Sequence, residues 1–117
     1  MNNLNIYHNP RCSKSRKTLQ IIRDHGVEPE VVEYLKNPPN EGELKKISTL
    51  LGLGPKRFVR VNENDFKENG LSEKISDDEA ILRLMAKFPK IIERPIVVSD
   101  DRAIIGRPPE NVLKILT

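Results

Sequence analysis

The chain of 117 residues contains one cysteine, Cys12, and its neighbours are polar or basic. A thiol is a nucleophile only as its thiolate, and an ordinary cysteine, with a pKa near ~8.5, is mostly protonated at neutral pH. Arg11, Lys14 and Arg16 flank Cys12, with His8 upstream and Ser15 downstream. Nearby cations favour the anion, and so does a hydroxyl close enough to donate to the sulfur. A lone cysteine in apolar surroundings is an inert small hydrophobe; here the surroundings are the opposite, and the reactive reading is preferred. His8 fits two roles equally well, a charge partner for the thiolate or a strand-end side chain that caps backbone. His25 reads as a helix-end cation. In Cys12-Ser13-Lys14-Ser15 there is no second thiol. A mixed disulfide on Cys12 can therefore be resolved only by a thiol from outside the chain.

Three arginines, Arg60, Arg94 and Arg107, each stand beside a loop or strand end. A guanidinium is suited to bidentate binding of an oxyanion. Taken singly each is an ordinary surface charge, and spacing alone does not bring them together. Arg94-Pro95 is an X-Pro bond at the start of a strand, a position where cis bonds occur, although only about 5–6% of X-Pro bonds are cis in folded proteins. One Cys and two His leave no basis for a cysteine-rich or all-imidazole metal site.

These residues need a scaffold. At 37% hydrophobic and 32% charged, the chain has the composition of one soluble globular domain, long enough to bury a core without staples. No apolar run approaches the ~20 residues of a membrane span. The polar start, Met1 to Tyr7, does not read as a signal peptide, which with the missing disulfide pair points to the cytoplasm. Aromatic residues are 4% with no Trp, which argues against nucleic-acid binding through stacked bases. Net charge is +3, and residues 1–23 carry five basic side chains and no acid. The positive field is thus concentrated in the segment that holds Cys12.

Leu4 to Tyr7 predicts a strand, broken by Asn9-Pro10. A helix is expected from Cys12 to His25, with Leu19 and Ile22 inward and Gly26 ending it, which puts Cys12 at its N-terminal end. Val31 to Leu35 predicts a second strand, parallel to the first. Asn40 with Glu43 forms a capping box before the stripe Leu44, Ile47, Leu50 and Leu51. Pro55 opens a short helix through Arg60, and residues 61–75 are polar and poorly periodic. Ser76 to Glu79 reads as a second capping box, before Ile81, Leu84, Met85 and Phe88. Two short runs, Pro95 to Ser99 and Arg102 to Ile105, form a hairpin around Asp100-Asp101. A last helix after Pro108-Pro109 should turn Val112, Leu113 and Leu116 inward. The order is β-α-β, a helical block, then β-β-α. The expectation is one domain over residues 1–117, with a helical insertion at about 37–90.

The segment from Tyr7 through His8, Asn9, Pro10, Arg11, Cys12, Ser13, Lys14, Ser15, Arg16, Lys17 and Thr18 to Leu19 resembles the active-site signature of the glutathione- and glutaredoxin-coupled arsenate reductases. The Arg60 loop, Glu93-Arg94-Pro95-Ile96-Val97-Val98 and Gly106-Arg107-Pro108 resemble further motifs of that family, in the same order. The chain has Arg11 and Ser13-Lys14 where better-known members have a small residue and Gly-Thr, and it stops soon after the last helix; it is similar to a shorter arsenate-reductase-like subgroup. The resemblance implies a thioredoxin-like α/β fold with a mixed four-stranded sheet and a helical insertion. It implies Cys12 as nucleophile, His8 favouring the thiolate, and Ser15 supporting the sulfur. It implies Arg60, Arg94 and Arg107 as oxyanion ligands, and Pro95 as the cis-proline facing the cysteine. Reduction of arsenate to arsenite would follow, with glutathione as co-substrate, glutaredoxin as transient partner and no bound cofactor. A redox or RNA-polymerase-binding regulatory module of the same fold, without arsenate turnover, is the alternative. Ser15 stands where such a module's second cysteine would be.

Overall fold

The structure is a computed structural model that describes residues 3–60, 63 and 77–116. The chain divides into two compact units, Met1–Asn37 with Arg94–Thr117, and Pro38–Glu93.

The first unit is built on a four-stranded sheet in the order β2-β1-β3-β4. Its strands are β1 (Asn5–His8), β2 (Glu30–Glu33), β3 (Ile96–Val98) and β4 (Ala103–Ile105). β1 pairs parallel with β2 and antiparallel with β3, and β3 pairs antiparallel with β4, so the sheet is mixed. Successive side chains of a strand alternate between faces. In β1 this buries Leu4, Ile6 and His8 together. The strand thus runs one residue past the expected Tyr7 and carries His8 inward. β2 ends at Glu33, before Tyr34 and Leu35, because the chain turns there with the Lys36 and Asn37 N–H groups both donating to Glu33 O.

Helix α1 (Ser13–Asp24) follows β1 and buries Ser15, Thr18, Leu19 and Ile22. That spacing is one stripe of a 3.6-residue repeat. The helix ends before Gly26, whose φ of 80° is left-handed and free of the Cβ penalty that other residues would meet. Leu4, Ile6, Leu19, Ile22, Val97, Val112 and Ile115 form the core of this unit. Each such side chain contributes about 1.5–3 kcal/mol when fully buried.

The C-terminal segment departs from the expected helix. Pro109–Val112 is a 3₁₀ turn, and only Leu113–Leu116 (α4) is α-helical. A 3₁₀ turn has three residues per turn, so the inward side chain after Val112 is Ile115, while Leu113 is 38% exposed.

The second unit begins with helix α2 (Glu41–Leu51). Asn40 Oδ1 accepts from Glu43 N at 2.8 Å and Glu43 Oε1 accepts from Asn40 N at 3.0 Å, the expected capping box. Leu44 and Ile47 are its buried residues. The following 3₁₀ turn is Pro55–Arg57 and stops short of Arg60, because Val59 is drawn into a bridge with Ile92. Helix α3 (Asp78–Lys87) is capped by Asp77, whose carboxylate accepts from Ala80 N at 3.1 Å, one residue later than the expected cap at Ser76. The buried face is Ala80, Ile81, Leu82 and Met85. Leu84 and Phe88 are only half-buried. Apart from residue 63, the polar stretch 61–75 and Ser76 lie outside the described residues.

Candidate active site

The turn between β1 and α1 presents Cys12. Asn9 accepts Cys12 N at its carbonyl (3.0 Å), closing a turn with Pro10 in its second position, where a fixed φ is favourable. Asn9 Oδ1 also accepts Arg11 N at 3.0 Å, and Arg16 Nη1 donates to Pro10 O at 2.9 Å. The turn is therefore tied both to itself and to the helix that follows. Cys12 is the N-cap of α1, in extended conformation, and is half-buried. No acid lies in the first turn of α1 to offset the positive end of its dipole.

The thiol's pKa is lowered from its ordinary value. Burial pushes it up, and that is the largest single influence. The Ser15 amide, the charge of Arg94, the Lys14 amide and a hydrogen bond from the Arg94 side chain together outweigh burial. Arg107 stands on the same side. Its Nε donates to Arg94 O at 2.8 Å and its Nη2 lies 3.9 Å from Cys12 Sγ. Arg94 and Arg107 flank the β3–β4 hairpin, and sheet pairing of β3 with β1 carries both to the cysteine. The Arg94–Pro95 and Arg107–Pro108 bonds are both cis.

His8 and Ser15 meet beneath the turn. The period of β1 turns His8 inward, and the stripe of α1 turns Ser15 inward. His8 Nδ1 and Ser15 Oγ are 2.7 Å apart, and Ser15 Oγ also accepts Asn9 N at 3.0 Å. Burial is the main cause that lowers the His8 pKa; Glu33 opposes it, and Arg23 and Arg16 add to it. Burial thus favours the uncharged ring. The ring's partner in the structure is the Ser15 hydroxyl, a contact that neither role read from the sequence named. Ser15 serves the sulfur with its backbone amide, while its hydroxyl is engaged with His8 and Asn9.

Arg60 belongs to the second unit, where Nη1 pairs with Glu63 at 2.9 Å and donates to Lys90 O at 3.3 Å. Beside the cysteine turn is a cavity of about 220 Å³, with Pro10, Arg11, Leu35 and Lys36 among its lining residues. Among the described residues no group of three or more His, Cys, Asp or Glu could hold a metal ion, and no helix is long and apolar enough to cross a membrane.

The sequence marked Asn9 only as a strand breaker within Asn9-Pro10, whereas its carbonyl, amide and side chain organise the turn. Thr18 and Gly106 had no role there beyond their place in the resembling motifs.

The structure is similar to an arsenate reductase of Vibrio cholerae, with a TM-score of 0.93 and 44% identity over 97% of this chain and 98% of that one. An arsenate reductase of Neisseria meningitidis serogroup A is 44% identical over 99% of this chain and all of its own length. An uncharacterized protein of Escherichia coli K12, YfgD, is 47% identical over 95% of this chain and 94% of its own. The shared architecture is the thioredoxin-like α/β sheet described above. The ArsC family profile matches residues 7–115, from the strand before the cysteine turn to the last helix. With that span matched, the chain belongs to the ArsC family.

Proposed function

We propose that this protein reduces arsenate to arsenite through Cys12. The observation that carries the proposal is a sulfur whose anion is favoured by the end of α1 and by Arg94, with the Arg107 guanidinium 3.9 Å away. Such a nest suits a nucleophile and a tetrahedral oxyanion equally, because both are negative. The Cys12 thiolate attacks the pentavalent arsenic of a bound HAsO4 dianion. A sulfur–arsenic bond forms, and one arsenic–oxygen bond breaks, its oxygen leaving as water after protonation. Arg94 and Arg107 hold the remaining oxygens; Arg60 is assigned as a further oxyanion ligand on the resemblance to the family alone. His8 and Ser15 hold the turn that presents the sulfur, and Pro95 shapes the wall opposite it.

The second step needs an outside thiol, since the chain has no other cysteine. Glutathione thiolate attacks Cys12 sulfur. The new sulfur–sulfur bond replaces the sulfur–arsenic bond, whose electron pair goes to arsenic. Arsenic is reduced from the pentavalent to the trivalent state, and two thiol sulfurs are oxidised to a mixed disulfide. We place the incoming carboxylate-bearing thiol at the cavity beside the turn, where the cations Arg11 and Lys36 outnumber the one acid, Glu33. Glutaredoxin then clears the disulfide by exchange, in the cytoplasm. The test is arsenate-dependent NADPH oxidation with glutathione, glutaredoxin and glutathione reductase. Turnover that requires all components is expected; folded protein with no arsenate-dependent turnover overturns the reading.

A further inference from the structure

We propose that Gly106 is a positioning residue, whose missing side chain lets the arginine-bearing hairpin close onto α1 beside Cys12. A Cβ at this position would lie 2.6 Å from Thr18 Oγ1, 2.8 Å from Pro95 Cγ and 3.1 Å from Thr18 Cγ2. Carbon contacts are comfortable only near ~3.5–4.0 Å. The φ of Gly106 is not in the left-handed region, so the requirement is for space and not for backbone freedom.

Neither neighbour can yield easily. Thr18 is fully buried, and its Oγ1 donates to Lys14 O at 2.8 Å. Rotating it away would break that bond in the first turn of α1. Pro95 is buried with its atoms locked in a ring. Gly106 N donates to Pro95 O at 2.9 Å, which fastens the two strand ends together at the pinch. An alanine therefore has to be accommodated by moving the hairpin away from the helix.

The residues that would move with it matter most. Arg94 precedes Pro95, and Arg107 follows Gly106. Each pinched residue on the hairpin is thus the chain neighbour of a guanidinium that faces the sulfur, and the two are joined through Arg107 Nε and Arg94 O. A retreat of about 1 Å by one guanidinium from a charge ~4 Å away weakens their attraction by about a fifth at an effective dielectric of ~20, which is a roughly fourfold change in an equilibrium or rate constant. The proposal rests on the reading of this site as an oxyanion site only for the use made of the arginines; its test needs no arsenate.

Cys12 is alkylated with iodoacetate and with iodoacetamide at one pH, well below the melting temperature. Both reactions use the same thiolate, so the ratio of the two rate constants reports the positive surroundings of the sulfur. Gly106→Ala should lower the ratio about threefold, and Gly106→Ala with Thr18→Ala should recover at least half of the loss. An unchanged ratio in Gly106→Ala, or no recovery in the double variant, overturns the proposal. Should Gly106→Ala alone not fold, the double variant is compared with Thr18→Ala. The Pro95 overlap remains in it, so a lower ratio is expected, and equality overturns the proposal. A wild-type protein without arsenate turnover would remove the proposed activity and leave this ratio test standing.

Discussion

Replacing Ser15 with alanine removes one oxygen that holds three pieces of chain together. Ser15 is fully buried; its Oγ accepts the Asn9 amide at 3.0 Å and is bonded to His8 Nδ1 at 2.7 Å. The space left is that of a single oxygen, too small for a water that would have to restore both bonds. The Asn9 amide and the His8 ring nitrogen are then stranded, at about 1–3 kcal/mol for each unsatisfied buried group. With the Asn9 amide, which is only part-buried, counted at the low end, we expect a loss of about 2–4 kcal/mol, a large part of the ~5–15 kcal/mol that stabilises a typical domain. Urea denaturation measures it, and a double-mutant cycle with His8→Ala should give a coupling of at least about 1 kcal/mol. The same change frees Asn9, whose carbonyl holds Cys12 N, so alkylation of Cys12 at pH 7 should also slow. A stability loss under about 1 kcal/mol together with an additive cycle would refute this account of the pair.

Cys12→Ser should abolish arsenate turnover while changing stability by no more than about 0.5 kcal/mol, read from a thermal melt, since the side chain is only half-buried. Arg107→Ala should lower kcat/KM for arsenate by about 10²–10³-fold, the usual cost of one oxyanion donor. Arg107→Lys should recover little of it, because an ammonium cannot hold Arg94 O and reach the sulfur with a planar fork. The His8 pKa is lowered below 6.5 in the folded chain, so below that pH the unfolded chain binds more protons and stability falls. The contribution is fully present above about pH 6.5 and is lost as pH drops through the folded value. His8→Asn should flatten this dependence in urea melts between pH 7 and pH 5, and an equally steep profile would contradict it.

What could be read from the residues was mostly local. The Asn40 box, the glycine ending α1 and the cysteine at a helix N-terminus each follow from a few adjacent side chains. The parallel pair β1–β2 and the β3–β4 hairpin were legible as local units, while the mixed four-stranded sheet that joins them came only from the resemblance to a family. Phase was harder. Leu113 and Ile115 changed places because a 3₁₀ turn preceded the last helix, and proline at its start announces both kinds of turn equally. Asp77 took the cap from Ser76 because Asp and Ser cap almost equally well, so adjacent candidates compete. The site itself was the least local. Cys12 and Arg107 are 95 residues apart in the chain, and nothing in the spacing of arginines reports a strand pairing that joins them. Their places beside strand ends marked Arg94 and Arg107 as candidates, but only the resemblance to a family brought them to one site. The bond between His8 and Ser15 lay within reach: it follows from a period of two meeting a period of 3.6, once β1 is extended by one residue.

The central strand of the sheet has one neighbour, β2, made soon after it and another, β3, made only after residue 95. During synthesis, Cys12 therefore leaves the ribosome long before either guanidinium exists. A nascent or truncated chain ending before Arg94 lacks both guanidiniums, and its sulfur has only the cations of residues 11–23 near it in the chain. The positive nest is complete only once residues 94–107 have been made.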